Sequence, residues 1–526
     1  MLDKIKTLAL AAGLGLLVTT LASFAGLKVV AARHAVAVSD TLTFARRQPL
    51  GYWPTDLLAA AALALAAGLG FAALLWLLLR DARWTYHPRS LASDEAAADL
   101  LGKSMPKDKP RIFAGKFGTA ALHVSIEDRG LVIGPPGTGK TAFLLNQVLR
   151  ATRIKLSFAV VDLKPELHQI LAPSLLAAGY RVLRINPARV DPDADHWNPL
   201  EDIEDETDIT ELCSSLLPIR DSKEAPFVEA QRDWLKAAVF HIKSQPGGSL
   251  PTAFNLLSSE SQPVNLVDML GRSPSPTAAQ IARRIAAGLS GAKPDPLILQ
   301  GLTGCLRTLD YLGLPGMQSA LGHSDFSARE LGKGTQPVAL FLQFEESKIN
   351  ALGPLLAFAA TGLLTALIDT AKERQPVALF LDELGNMPPI PNLPEKLNTI
   401  RSRNIPTWMY FQTAEQMERR YGKGAADIFF ASADVQIVFR LNDQSTRELI
   451  SKLVGTTLHK KESQSTSAGT KGGGTSTTKS KERVNVIEPH ELGQLAPSQV
   501  VLLYRGASAK GRATPHYVDF PQFRRK

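Results

Sequence analysis

Cysteine is nearly absent, with 2 residues in a chain of 526. Cys213 and Cys305 lack metal-ligand spacing, which excludes a thiolate zinc site and a disulfide framework and suits a reducing compartment. Charge is missing from two stretches, Thr7 to Leu27 and Leu57 to Leu79. Each is long enough to cross ~30 Å of hydrocarbon as a helix. Tyr52 and Trp53 precede the second stretch and Trp76 lies near its end, where interfacial anchors belong. A cleaved leader ending near Ser23-Phe24-Ala25 is the alternative for the first stretch. Residues 1–90 are thus expected to form a two-helix transmembrane hairpin in the lipid bilayer, with spans at about 7–27 and 57–79. β-Branched strand runs are also missing, between Leu200 and about Gly322. Helical patterns such as Glu229–Ile242 and Ala278–Leu289 replace them.

Strand-like runs lie on both sides of that gap: 131–133, 158–161, 181–185, 338–344, 377–381, 407–411, 435–439 and 500–504. Their alternation with helical patterns predicts an α/β domain with a largely parallel sheet. The domain is interrupted, with a first part at 91–204, an all-helical insertion at 205–322 and a second part at 323–526. A polar stretch from Leu101 to Lys116 reads as a connector, and the Gly/Ser/Thr/Lys-rich residues 461–482 read as a mobile loop. The formal charge is +9, acidic from Glu201 to Glu211 and basic from Lys452 onward. Nucleic acid, anionic lipid and simple solvation all suit that basic excess.

The sharpest local signal is Gly134-Pro135-Pro136-Gly137-Thr138-Gly139-Lys140-Thr141, which fits G-x-x-x-x-G-K-[ST] between a strand and a helix. In such a loop, backbone N–H groups and the helix N-terminus cradle the phosphates of a nucleotide such as ATP. Lys140 would reach the β/γ-phosphates and Thr141 would ligate Mg²⁺. The run Val377–Leu381 ends in Asp382-Glu383, so Asp382 would hold the Mg²⁺ shell and Glu383 would activate water. Gln412 follows the run Thr407–Phe411, at a strand carboxyl end where α/β sheets place their chemistry. It would sense the γ-phosphate, position water, or merely cap the strand. Arg401 and Arg403 lie between these two strands. Either could be supplied to a neighbouring subunit, although a solvated arginine is the commoner outcome. With ATP in the cytoplasm, both ends of the hairpin belong on that side. The flanking basic residues are too evenly divided to orient it.

Several segments together resemble the type IV coupling proteins of the TraG/TraD kind. Val160-Val161-Asp162-Leu163-Lys164-Pro165-Glu166 is similar to that family's V-x-D-x-K-x-E element, with Pro165 where glycine is usual. Trp197-Asn198-Pro199-Leu200, Leu381-Asp382-Glu383-Leu384-Gly385-Asn386, and Gln412, Gln416 and Tyr421-Gly422 match further elements. The resemblance implies a RecA-like P-loop ATPase with an inserted helical domain and a membrane hairpin, in the bacterial inner membrane. It implies a homo-hexamer with ATP between subunits. It carries Lys140, Thr141, Asp382, Glu383 and Gln412 over as active-site residues, with Arg401 as the trans-acting arginine. Its implied partners are type IV secretion channel components and a relaxase–single-stranded DNA complex or effector proteins. Two other readings remain at this point: an FtsK/HerA-like duplex DNA pump, and a receptor that uses nucleotide without hydrolysing it. The segment from Gly506 lacks the helix-turn-helix pattern that would favour the pump.

Overall fold

The computed structural model describes residues 111–523, apart from 118–119, 164–165, 188–190, 220, 261, 291–292, 468–473 and 505. The hairpin expected at 7–27 and 57–79 lies outside the described residues.

The described chain begins with an antiparallel pair, β1 (Arg111–Phe117) and β2 (Ala120–Ser125). Part of the expected connector is therefore strand. Ile112, Phe113 and Ala114 are all buried, so the segment has no alternation to betray it. A parallel block follows: β3 (Gly130–Ile133), β4 (Ser157–Asp162), β5 (Arg181–Ile185), β6 (Val338–Gln343), β7 (Val377–Leu381), β8 (Thr407–Phe411) and β9 (Val435–Val438). After a separate ribbon, β10 (Thr456–Ser467) with β11 (Gly474–Asn485), the strands β12 (Gln499–Tyr504) and β13 (Ala507–Arg512) return to the sheet. The resulting eleven-stranded sheet has the order β2-β1-β13-β12-β9-β3-β8-β7-β4-β6-β5. Pairing is parallel from β9 to β5 and antiparallel from β12 outward.

The ribbon differs from the mobile loop expected over 461–482. Its strands pair in continuous register from Thr456 with Asn485 to Ser467 with Gly474. A ribbon with so many Ser, Lys and Gly residues carries no apolar alternation, whereas its threonines do favour extended backbone.

Side chains of β3 alternate across the sheet. Leu131 and Ile133 join the core on one face, and Val132 joins the core on the other. The second face is covered by α1 (Lys140–Ala151) and α2 (Glu166–Ala177). Asp519 anchors α1 at the rim, accepting from Asn146 Nδ2 at 2.8 Å and pairing with Arg150 at 2.7 Å.

Between β5 and β6 the described residues form α3 (Glu206–Leu216), α4 (Ala225–Lys243), α5 (Leu250–Ser259), α6 (Pro263–Gly271), α7 (Pro276–Leu289), α8 (Pro296–Thr308) and α9 (Pro315–Gly322). Proline in the first turn starts each of α4 to α9, where its missing N–H costs nothing. Asp205, Ser249, Ser275 and Asp295 cap α3, α5, α7 and α8. These helices share one core with the first face of the sheet. The long apolar helix α10 (Ile349–Asp369) belongs to that core as well. It is long and apolar enough to cross a membrane, yet most of its residues are buried within the protein.

Trp197 secures the base of the helical region. It is fully buried, its ring stacks on Phe326, and Nε1 donates to Asp202 Oδ2 at 2.8 Å. The same carboxylate accepts from Ser327 and from the Ala328 backbone, so Asp202 ties the outgoing segment to the incoming one.

Gly130 shows how tightly the centre of the sheet is packed, since a Cβ there would lie 2.1 Å from the fully buried Trp408 ring. Gly130→Ala is expected to destabilise the fold by about 1–3 kcal/mol through overpacking. A thermal melt of the variant, lowered by several degrees, is the measurement; an unchanged melt would contradict this packing.

Candidate nucleotide site

Three sequence-predicted segments meet at one edge of the sheet. The P-loop leaves the carboxyl end of β3, Asp382-Glu383 leaves β7, and Gln412 leaves β8, which lies between those two strands. Residues distant in sequence converge because parallel strands present all their carboxyl ends on one side.

The P-loop conformation depends on glycine at two positions, Gly137 at φ 77° and Gly139 at φ 104°. Gly139 stands at the N-cap of α1 and no side chain caps that helix, so its first N–H groups face the loop. Gly134 packs against Phe439, whose Cβ would lie 2.6 Å from an added methyl group. Pro135 is buried and Pro136 exposed, and Thr138 Oγ1 donates to the Pro135 carbonyl at 2.8 Å. Lys140 is buried, with Nζ donating to the carbonyls of Gly134 at 2.6 Å and Pro135 at 3.3 Å. Thr141, partly buried, follows it in the first turn of α1.

Asp382 is 4% exposed. Burial, and then the neighbouring charge of Glu383, push its carboxyl up to about 7, while nearby Lys140 pulls it down. Lys140 and Asp382 are thus within electrostatic reach of one another. Glu383 is also buried and adopts φ 52°, a left-handed conformation that a non-glycine residue rarely takes. Its Oε2 accepts from Gln412 Nε2 at 2.7 Å and Asn386 Nδ2 at 3.1 Å.

A layer that the motif reading left without roles supports this pair. Gln416, on α12 (Ala414–Tyr421), accepts from the Gln412 backbone N–H at 3.1 Å and donates to Asn386 Oδ1 at 3.3 Å. An added Cβ on Gly385 would lie 2.3 Å from Gln416 Oε1, so only glycine leaves room for that contact. The signal in the sequence was the matched Asn386 and Gln416, but only the fold pairs them. Asp162, at the end of β4, accepts from Gln343 Nε2 at 3.0 Å and adds to the negative potential at Asp382.

Arg401 is not brought to this edge. It lies in the last turn of α11 (Leu393–Ser402), just before β8 begins, and its guanidinium is 3.8 Å from Asp434 ahead of β9. Both positions are at the amino ends of the parallel strands. The Arg401 side chain is 54% exposed. Arg403 caps the same helix and lies at the same end.

A carboxyl whose folded value is raised stabilises the protein only when protonated. Its contribution is therefore present below about pH 4 and lost as pH rises through about 7. At about 1.4 kcal/mol per pH unit, the penalty reaches ~4 kcal/mol above pH 7. Asp382→Asn is expected to raise the melting temperature of the nucleotide-free protein at pH 8, with the gain shrinking toward pH 4. A gain that did not vary with pH would contradict this.

Residues 90–524 match the type IV secretory system conjugative DNA transfer family. The conjugal transfer protein TraG of Rhizobium radiobacter is 27% identical over 199 residues, 37% of this chain and 31% of that protein. TraG of Escherichia coli is 25% identical over 343 residues, 59% of this chain and 53% of that protein. The chain thus spans about a third to a half of the length of these curated relatives. Among solved structures, the bacterial conjugative coupling protein TrwBΔN70 superposes with a TM-score of 0.63 at 18% identity, covering 80% of this chain and 91% of that one. TrwB with ADP and Mg²⁺ superposes equally, at 0.63 and 18%, covering 80% and 91%. That likeness assigns the RecA-like P-loop fold with its mixed sheet. The chain belongs to the type IV secretory system conjugative DNA transfer family.

Proposed function

We propose that this protein is the ATP-hydrolysing coupling protein of a conjugative type IV secretion system. It receives single-stranded DNA with its relaxase, effector protein, or both, and passes them to the secretion channel at the bacterial inner membrane. The observation that carries this reading is the meeting of Lys140, Asp382, Glu383 and Gln412 at one sheet edge, in a chain of this family. TrwB has been solved with a non-hydrolysable ATP analogue and with ADP and Mg²⁺, which supports nucleotide as the ligand here.

In this mechanism the residues from Gly134 to Thr141 wrap the phosphates with backbone N–H groups. Lys140 turns from the Gly134 carbonyl toward the β/γ-phosphates. Thr141 and Asp382 would hold Mg²⁺, which when bound neutralises phosphate charge. The donors fit that ion, being a hydroxyl and a carboxylate, the hard oxygens that magnesium selects. Glu383 takes the proton of the attacking water. Gln412 holds Glu383 through the 2.7 Å bond and so aims that base. Arg401 acts from a neighbouring subunit of a hexameric ring, whose repeated contacts would be heterologous. Residues 205–322 are the helical domain that meets cargo, and residues 1–90 anchor the ring to the bilayer.

Glu383→Gln is expected to retain nucleotide binding while ATP turnover by the purified protein, with or without single-stranded DNA, falls ~10²–10⁴-fold. Full turnover in this variant would overturn Glu383 as base. Unimpaired DNA export by it in mating assays would favour the non-hydrolytic receptor. Arg401→Ala should lower turnover by on the order of 10³-fold or more without weakening nucleotide binding. Mixing Arg401→Ala with Lys140→Ala subunits should restore part of the activity, because one subunit keeps the intact pocket and the other the arginine. Absence of recovery would remove Arg401 from a trans-acting role.

A further inference from the structure

A second cluster of chemically capable side chains lies away from the nucleotide site, where the chain crosses into and out of the helical region. His196 stands just before Trp197 on the incoming segment; His323 and Asp325 follow α9 on the outgoing one. The two segments are fastened by backbone bonds, Trp197 N–H to Ala320 O and Asp325 N–H to His196 O, each 2.9 Å. Asp325 Oδ2 accepts from the His196 backbone N–H at 2.9 Å and lies 2.7 Å from His196 Nδ1. Asp325 Oδ1 lies 3.8 Å from His323 Nε2. The two imidazoles stack, with centroids 4.4 Å apart and planes 28° off parallel. One ligand atom from each residue can be chosen so that all three lie within 4.8 Å of one another.

We propose that His196, His323 and Asp325 bind a transition-metal dication of the zinc class, forming a clip across the base of the helical region. Two imidazole nitrogens and one carboxylate are a donor set that favours Zn²⁺ over Mg²⁺ and Ca²⁺, which take oxygen ligands. Ligands at ~2.0–2.2 Å from a tetrahedral zinc stand about 3.3 Å apart. The separations of 2.7 and 3.8 Å bracket that spacing. The backbones of His196 and Asp325 are already held by the bonds between the two segments, and His196 Nε2 lies 3.2 Å from Ser319 Oγ. To admit the ion, the His323 side chain, 61% exposed, turns its ring out of the stack, and His196 Nδ1 and Asp325 Oδ2 part from 2.7 Å. Water completes the coordination. Such a clip joins the incoming and outgoing segments directly above Trp197 and stiffens the helical region against the sheet. The site is independent of the ATPase reading, because none of its ligands belongs to the P-loop edge.

The test is calorimetric titration of Zn²⁺ into the full chain in detergent, with Mg²⁺ present in excess to occupy oxygen-rich sites. Wild type should take up one Zn²⁺ per chain saturably and melt several degrees higher with it. His323→Gln should weaken binding at least tenfold while leaving the metal-free melt unchanged, since the residue is exposed. Asp325→Asn should weaken it as well. If wild type shows no saturable uptake, or if His323→Gln binds within twofold of wild type, the trio is only a hydrogen-bonded His–Asp pair with a stacked ring.

Discussion

A carboxylate kept out of water beside a lysine is the constraint around which the nucleotide site is built. Removing a charge from solvent is costly unless it is neutralised or paired. Asp382 sits at the tip of β7 with Glu383 next in sequence, and burial already favours its protonated form. Lys140, also buried, has its ammonium group on the Gly134 and Pro135 carbonyls. In this state the loop carbonyls solvate the cation, and burial shifts the acid toward its protonated form. In the proposed mechanism the same two groups exchange these resting partners for phosphate and metal.

In the proposed mechanism Glu383, as the base, meets a different problem. A base must be aimed as well as ionised. Its left-handed backbone stores strain of the order of 1 kcal/mol or more, and such strain persists only where surroundings enforce it. Gln412 and Asn386 supply that enforcement through Oε2, and Gln416 joins the two amides to each other. Arg420, on the same helix as Gln416, donates from Nε to the Gly385 carbonyl at 3.0 Å. The tip of β7, the tip of β8 and α12 are therefore one hydrogen-bonded unit, and displacement of the base would be felt along α12.

Much of this was legible in the sequence because its signals are local. Gly134 to Thr141 is a contiguous loop whose backbone must bend, and buried parallel strands read as unbroken apolar runs such as Val377–Leu381. The helical region announced itself through its missing β-branched runs and through helical patterns such as Glu229–Ile242; the proline in the first turn of six helices is visible only once the helices are placed. What stayed hidden depends on pairing across the sheet. Strand β1 has no alternation, and β13 (Ala507–Arg512) is short and mixed in polarity; β1 is defined by its pairing with β2 and β13, and β13 by its pairing with β1 and β12. The ribbon β10–β11 looks like a linker by composition and is recognisable only by its register. The pairing of Asn386 with Gln416 required two strand tips and a helix to meet. Trp197-Asn198-Pro199-Leu200 could be matched but not explained until Asp202 was seen to join it to Ser327 and Ala328.

The position of Arg401 bears on the proposed assembly more than its residue type does. Strand β8 separates it from Gln412 by five residues, and at ~3.3 Å per residue that is about 17 Å, farther than an arginine side chain extends. Its own P-loop is thus out of range. Its contact with Asp434 is long at 3.8 Å, while Arg129, buried, holds the other oxygen of that carboxylate at 3.1 Å and also reaches the Leu397 carbonyl. Arg129 already neutralises Asp434, so releasing Arg401 leaves no bare acid behind and costs little, as exposed ion pairs generally do. Arg401 is thus an exposed arginine, weakly held, at the edge of the sheet opposite its own phosphate loop. That placement is compatible with the proposed hexamer, in which each subunit's nucleotide would be completed by the next.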